Sequence, residues 1–113
     1  MTLTEFENQV ILIAMTSPIC DIPRVVRLSS TAIKLRIELP NGDFIDAFYN
    51  EETDTTAYAL IRQGQRVFGA DNTGGWHVHP FTNPTRHDKL VDAMSFADFV
   101  AEIEHEYNKN IGN

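Results

Sequence analysis

The chain has little cysteine and no long apolar segment. Its 113 residues include one cysteine, Cys20, so an intrachain disulfide and a metal site built from several thiolates are both excluded. The apolar run at residues 10–15 is far shorter than the roughly 20 residues that cross a bilayer as a helix. A secretory signal would require a basic residue before this run, and no lysine or arginine precedes it. The sequence therefore predicts a cytoplasmic protein without a membrane span.

Basic residues are also scarce. The chain has 9 Lys and Arg against 16 Asp and Glu, which gives a formal net charge of −7. Tight binding to a phosphate backbone depends largely on basic side chains, so this balance disfavours a general nucleic-acid binder. The basic residues are nevertheless grouped, because Arg62 and Arg66 flank a turn and one early segment holds Arg24, Arg27, Lys34 and Arg36. A local basic face is therefore compatible with the acidic chain.

The length and composition are those of one globular domain, residues 1–113. Hydrophobic residues make up 42% of the chain and charged residues 22%. Apolar residues at helical spacing predict two helices, at about residues 4–16 and 95–109. Each begins with a capping-box pattern, in which Thr4 or Ser95 is followed three residues later by a carboxylate.

The middle of the chain has the two-residue period of β-strands. Apolar and polar residues alternate over 33–39, and Asn41-Gly42 supplies the positive φ angles of a tight hairpin turn. Further strands are predicted at about 44–49, 56–62 and 66–70, with a short extended piece leading into Pro80. The predicted fold is α+β: an antiparallel meander of about five strands, with an N-terminal and a C-terminal helix packed on one face.

Three of the four histidines, His77, His79 and His87, lie within eleven residues of one another. Imidazole has an unperturbed pKa of about 6.5, so it donates, accepts or binds a metal near neutrality. In an extended segment His77 and His79 point to the same side, because strand side chains alternate. With His87 as a third nitrogen ligand, they form a candidate site for zinc or another divalent metal. The fourth histidine, His105, is predicted to be solvated between two glutamates.

The same cluster supports a metal-free alternative. His77 and His79 would act as general acid and base, and Arg86 would stabilise a developing anion. The candidate catalytic residues are then His77, His79, His87 and Arg86, and the candidate substrate-binding residues are Asp71, Asn72 and Trp76. Asp71 or Asp88 would orient an imidazole. A third interpretation, in which the histidines only cap carbonyl groups near turns, also fits these residues.

The segment from Tyr58 through Gly69-Ala70-Asp71-Asn72 to His77-x-His79-Pro80 and His87 resembles the TumE-type toxins of prokaryotic toxin–antitoxin modules, and related small uncharacterised families. The resemblance covers roughly half of the chain and follows the order hairpin, Asp-Asn pair, histidine cluster and C-terminal helix. It implies a toxin directed at RNA, with an antitoxin protein as partner. The metal-free alternative given above, with His77 and His79 as acid and base, predicts a ribonuclease-type hydrolase that works without metal. A homodimer is a further expectation. The alternative is a metal-binding or protein-interaction module without catalysis, since a fold does not determine an activity.

Overall fold

Two helices at the ends of the chain pack against an antiparallel sheet. The computed structural model describes residues 1–90 and 92–111, with helix α1 at Leu3–Thr16 and helix α2 at Phe96–Ile111. The strands found in this part of the chain are β1 Arg24–Leu28, β2 Ala32–Glu38, β3 Phe44–Asn50, β4 Thr55–Arg62, β5 Gln65–Asp71, β6 His77–His79 and β7 Asp88–Lys89. Their order in the sheet is their order in the chain, which is a meander. The predicted α+β fold is confirmed.

The structure adds a short strand at each edge of the predicted meander. All five residues of β1 are exposed, so this strand lacks the alternating burial that would mark it in the sequence. Strand β7 has only two residues and lies in the turn-rich segment after β6, where no period can be detected. None of the helices in the described ranges is both long and apolar enough to cross a membrane.

The start of α1 differs from the prediction. Thr2, and not Thr4, is the N-cap: its hydroxyl oxygen accepts from the Glu5 amide at 3.1 Å, and the Glu5 carboxylate accepts from the Thr2 amide at 2.9 Å. The pattern Thr-x-x-Glu occurs at both threonines, so spacing alone does not choose between them. The box predicted for α2 is confirmed, because Ser95 and Asp98 exchange the same two hydrogen bonds.

Both helices cover the same face of the sheet. The ring of Phe6 in α1 stacks on Tyr49 in β3, with ring centroids 5.3 Å apart. Phe99 in α2 lies 5.3 Å from Tyr58 in β4 and 4.9 Å from Phe68 in β5. Alternate residues of the strands complete this core: Ile33, Leu35, Ile37, Ile45, Ala47, Leu60 and Ala70. Neither of these two helices lies over the other face of the sheet, here called the open face.

The register of β5 and β6 places two histidines on the open face. Ala70 pairs with Val78, and Ala70 belongs to the helix-covered core. The flanking pairs, Asp71 with His77 and residue 69 with His79, therefore point the other way, because side chains alternate along a strand. The open face is thus the surface on which the histidine cluster is built.

A buried carboxylate joins the β2–β3 hairpin to α2. Asp43 follows the turn and is 2% exposed. It accepts hydrogen bonds from the Arg62 guanidinium at 2.9–3.2 Å and from the Tyr107 hydroxyl at 2.5 Å. Burial raises the pKa of this carboxyl, but the hydrogen bonds from Arg62 and Tyr107 outweigh burial and leave the pKa below its usual value. The ionised form is therefore the one that holds these elements together.

We expect Asp43→Asn to lower the free energy of unfolding at pH 7 by about 1.5–3 kcal/mol, the usual worth of a hydrogen bond to a charged group. Because the pKa of Asp43 is lower in the folded than in the unfolded chain, this contribution is present above the unfolded-state value of about 3.9 and is lost as pH falls through the folded-state value. Urea unfolding at several pH values measures it. Asp92→Asn, at an exposed carboxylate, is the control. A difference between wild type and Asp43→Asn that is as large in acid as at neutral pH would contradict this expectation.

Candidate functional site

The structure brings the three clustered histidines together at one end of the open face. His77 and His79 come from β6, and His87 comes from the segment just before β7. Ring centroids are 5.3 Å apart for His77 and His79, 5.1 Å for His77 and His87, and 4.3 Å for His79 and His87. The two histidines of β6 converge because they are separated by one residue of a strand. His87 joins them because the chain turns back after β6 to form β7, which pairs with it.

Asp71 lies between the two histidines of β6. One carboxylate oxygen, Oδ1, is 3.2 Å from Nε2 of His77, and the other, Oδ2, is 3.3 Å from Nε2 of His79. The strand register places it there, since Asp71 at the end of β5 pairs directly with His77. Its Oδ1 also accepts from the Thr73 amide at 3.0 Å, which orients the carboxylate. Asp71 is therefore beside both imidazoles, and its hydrogen bond with His79 matches one of the two roles considered for it, the orientation of an imidazole.

Hydrogen bonds indicate a different proton position on each of these rings. Nδ1 of His79 lies 3.4 Å from the Arg66 guanidinium, which can only donate, so the proton of this ring is on Nε2 and is donated to Asp71. Nδ1 of His77 lies 3.0 Å from the carbonyl oxygen of Gly75, which can only accept, so this nitrogen carries a proton. Neutral His77 then has a lone pair on Nε2, close to a carboxylate oxygen. That contact is attractive only for the imidazolium or with a cation between the two atoms.

His79 is held in its neutral form. The residue is 2% exposed, and this burial lowers the pKa of the ring. The hydrogen bond to Asp71 acts in the opposite direction, while the positive charges of Arg66 and His87 lower the pKa further. The net result is a pKa below the ordinary imidazole value. A neutral imidazole is the form that binds a metal ion or accepts a proton.

Arg66 belongs to this site although no motif in the sequence marks it. Its guanidinium contacts His79 and donates to the carbonyl oxygen of Pro84 at 3.1 Å. The side chain passes over Gly69, where an added Cβ would lie 2.9 Å from Cδ of Arg66. Gly69 is also the direct partner of His79 across the β5–β6 pair. A glycine inside a strand often marks a close approach of this kind, so Gly69 is the sequence signal that could have indicated a side chain packed over this strand.

Arg86, the arginine expected from the sequence to stabilise an anion, is engaged elsewhere. Its Nε and Nη2 atoms each lie 2.9 Å from a carboxylate oxygen of Asp88, and both side chains are substantially exposed. The hydrogen bonds that Arg86 donates to Asp88 raise the pKa of Arg86. Asp88, the second carboxylate considered for orienting an imidazole, is therefore committed to Arg86. Of the two arginines, Arg66 is the one that contacts a histidine of the cluster, His79.

Asn72 and Trp76, expected to bind substrate, make contacts within the fold. The Asn72 side chain accepts from the Thr56 amide at 2.8 Å and donates to the Asp54 carbonyl oxygen at 2.9 Å, so it ties the end of β5 to β4. Trp76 is half-buried and packs against the core, with its ring 6.2 Å from that of Tyr58. These contacts of Asn72 and Trp76 thus stabilise the fold beside the histidines.

The cluster has the composition and the spacing to hold a metal ion. One ligating nitrogen from each of His77, His79 and His87 lies within 4.8 Å of the others. Three nitrogens bound to one Zn²⁺ at 2.0–2.1 Å in a tetrahedral arrangement are roughly 3.3–3.4 Å apart. The rings must therefore approach one another slightly, and His87, which is exposed, has the room to move.

In the metal-free protein near pH 8, above the ordinary imidazole pKa of about 6.5, we expect NMR to find the His79 proton on Nε2 and a proton on Nδ1 of His77. Two-bond ¹H–¹⁵N correlation spectra report these positions. On acidification, His79 should take up its second proton below pH 6.5 or so, because burial lowers its pKa. His105 on α2 supplies the reference signals of an exposed ring. A proton on Nδ1 of His79 at high pH would contradict the contact with Arg66.

Comparisons with known proteins add no assignment to this geometry. No family model, no curated protein and no solved structure matches the chain. The resemblance to TumE-type toxins stays a prediction from the quoted residues. The chemistry of the site therefore depends on its own atoms: three imidazoles, one bridging carboxylate and one arginine on the open face of an antiparallel sheet.

Proposed function

We propose that the histidine cluster binds a divalent transition-metal ion, with His77, His79 and His87 as its ligands. The observation that carries this proposal is the mutual distance of their ligating nitrogens, at most 4.8 Å. Imidazole suits zinc, copper, nickel and iron, and zinc is the simplest expectation for three nitrogen ligands. Three protein ligands leave one coordination position open, as in catalytic zinc sites.

The surroundings of the cluster support metal ligation. Metal-bound histidines almost always donate their other ring N–H to a carbonyl or carboxylate group, which sets the orientation of the ring. Nδ1 of His77 donates to the Gly75 carbonyl group and leaves Nε2 for a metal. A cation at Nε2 would also separate its lone pair from Oδ1 of Asp71, 3.2 Å away. Asp71, hydrogen-bonded to Nε2 of His79, is the carboxylate of such an outer shell. The metal would then bind Nδ1 of His79, and the Arg66 guanidinium, 3.4 Å from that nitrogen, would move aside.

His87→Ala should weaken zinc binding by more than about 100-fold, because loss of an outer-shell partner alone typically costs 10–100-fold. His87 is exposed, so its removal should leave the fold intact. Isothermal titration calorimetry on chelator-treated protein measures the affinity, and metal-dependent melting gives an independent readout. His105→Ala, which removes a surface imidazole on α2, is the matched control and should bind zinc as wild type does. Zinc affinity that is equal in His87→Ala and wild type would refute the proposed ligand set.

Hydrolysis of RNA without metal is the second candidate function, and the different proton positions on the two rings in β6 favour it. Neutral His79 can accept the proton of a ribose 2′-hydroxyl as that oxygen attacks phosphorus. His77, as an imidazolium beside Asp71, can give its proton to the departing 5′ oxygen. Arg66, 3.4 Å from His79, is placed to stabilise negative charge on the phosphoryl group. Under this second candidate function, the protein is a cytoplasmic toxin with an antitoxin protein as partner. It is also proposed to form a homodimer.

Incubation of single-stranded RNA with the protein in EDTA separates the two candidates. Metal-free hydrolysis predicts products with 2′,3′-cyclic phosphate ends, and rates that fall about 10²–10⁴-fold in His77→Ala or His79→Ala. His105→Ala should cleave at the wild-type rate. Cleavage that appears only with added zinc would assign hydrolysis to the metal site. No cleavage with or without zinc would refute the hydrolytic candidate and leave metal binding standing.

A further inference from the structure

A single row of side chains crosses the open face from its basic edge to the histidine cluster. The direct cross-strand partners in successive strands, from β1 to β6, are Arg27, Lys34, Phe48, Ala57, Asp71 and His77. Neighbouring strands lie about 4.8 Å apart, so Lys34 is roughly 14 Å from Asp71, and Arg27 is roughly 24 Å from His77. The two cations and the histidines thus lie along one line.

The side chains near the middle of this row are small, and a groove forms there. Small residues occupy the open face of β4 and β5, namely Ala57, Ala59 and Gly69. A groove of about 370 Å³ lies over β1 to β4, with Phe48, Ala57, Ala59 and Ile61 in its apolar part and Arg27 and Lys34 at its basic end. One carboxylate, Asp46, also lines it, and this carboxylate is paired with Arg36. The groove ends at β4, where Ala57 and Ala59 pair directly with Asp71 and Gly69 of the strand that borders the histidines. The Arg66 side chain lies over Gly69 on that strand.

The charges along the open face are unevenly compensated. Arg36 is paired with Asp46 at 2.9 Å, and Arg24 with Glu38 at 3.3 Å. Within residues 1–90 and 92–111, neither Arg27 nor Lys34 forms an ion pair. These two cations are directly opposite each other across β1 and β2. An anionic ligand is therefore the natural partner of this end of the groove.

Phe48 is the aromatic ring available for stacking in the groove. The other phenylalanine on this face, Phe44, is covered by the Arg36 guanidinium, 4.1 Å from its ring centroid. Proteins that bind single-stranded nucleic acid combine a positively charged groove with aromatic side chains on which bases stack. A duplex offers no unstacked base to Phe48. The net charge of −7 also restricts attraction to this one face.

We propose that the open-face groove binds a single-stranded nucleic acid, with phosphates at Arg27 and Lys34 and a base stacked on Phe48. The strand would run along the row toward Asp71 and the histidines. The inference rests on the proposed function only for the chemistry at the histidine cluster. Binding in the groove itself requires neither a metal ion nor hydrolysis, so the two can be tested apart.

The test is fluorescence anisotropy with a labelled single-stranded RNA oligonucleotide, in EDTA and on the His77→Ala background, where neither metal nor cleavage interferes. Phe48→Leu keeps the apolar volume and should weaken binding about 5- to 150-fold, the loss of one base–aromatic stack. The slope of log affinity against log salt is negative, and Arg27→Gln combined with Lys34→Gln should reduce its magnitude by about 1.4, or 0.7 per phosphate contact. Lys109→Gln, which removes one positive charge from α2, away from the groove, is the control and should leave both quantities unchanged.

Each result supports or overturns the groove. Binding is compared for RNA and DNA oligonucleotides of the same sequence. Preferential binding of RNA, or equal binding of RNA and DNA, supports the groove and shows which nucleic acid it accepts. Affinity that is absent, or equal in Phe48→Leu and the Lys109→Gln control, overturns it. Self-association that is seen in sedimentation and lost in the Arg27→Gln, Lys34→Gln variant would also overturn it, since a second copy would then occupy the groove. Oligonucleotide binding without zinc uptake or cleavage would keep the groove and refute the proposed function.

Discussion

The one-sided packing of the sheet is the constraint on which the site depends. Both helices lie on the same face, so alternate residues of each strand are committed to the core and the rest to the open face. A shift of one residue in the register of β6 would turn His77 and His79 toward the helices and Val78 toward the open face. The hydrophobic pairing of Ala70 with Val78 therefore keeps both imidazoles on the open face, beside Asp71.

Asp71 is the electrostatic centre of the cluster. It is close to both rings of β6, and the hydrogen-bond partners on the far side of each ring give the two rings different proton positions. A pair of imidazoles in unlike states around one carboxylate suits either a metal centre or proton transfer. Asp71 also pairs with Ala57, which lines the groove, so the histidine cluster and the groove lie next to each other.

Regular periodicity made much of the fold and part of the site predictable. The alternation at residues 33–39 and the spacing of apolar residues in both helices predicted the elements that bury a face. The same alternation predicted the convergence of His77 and His79. Edge strand β1 escaped detection because all five of its residues are exposed, and Arg66 escaped because its contact with His79 follows from the pairing of two strands. The choice between Thr2 and Thr4 as N-cap required the structure, since both match one pattern.

The sequence by itself determined the α+β class, the hairpin at Asn41-Gly42 and the common side of the two histidines in β6. These features depend on the local periods of strands and helices and on the φ preferences of single residues. Only the tertiary structure decided which side chains meet on the open face. Arg27, Asp71 and His87 are far apart in the chain and share that face because strand register and the return of the chain into β7 bring them there. Such contacts depend on which residue pairs with which across a sheet, and no local pattern carries that information.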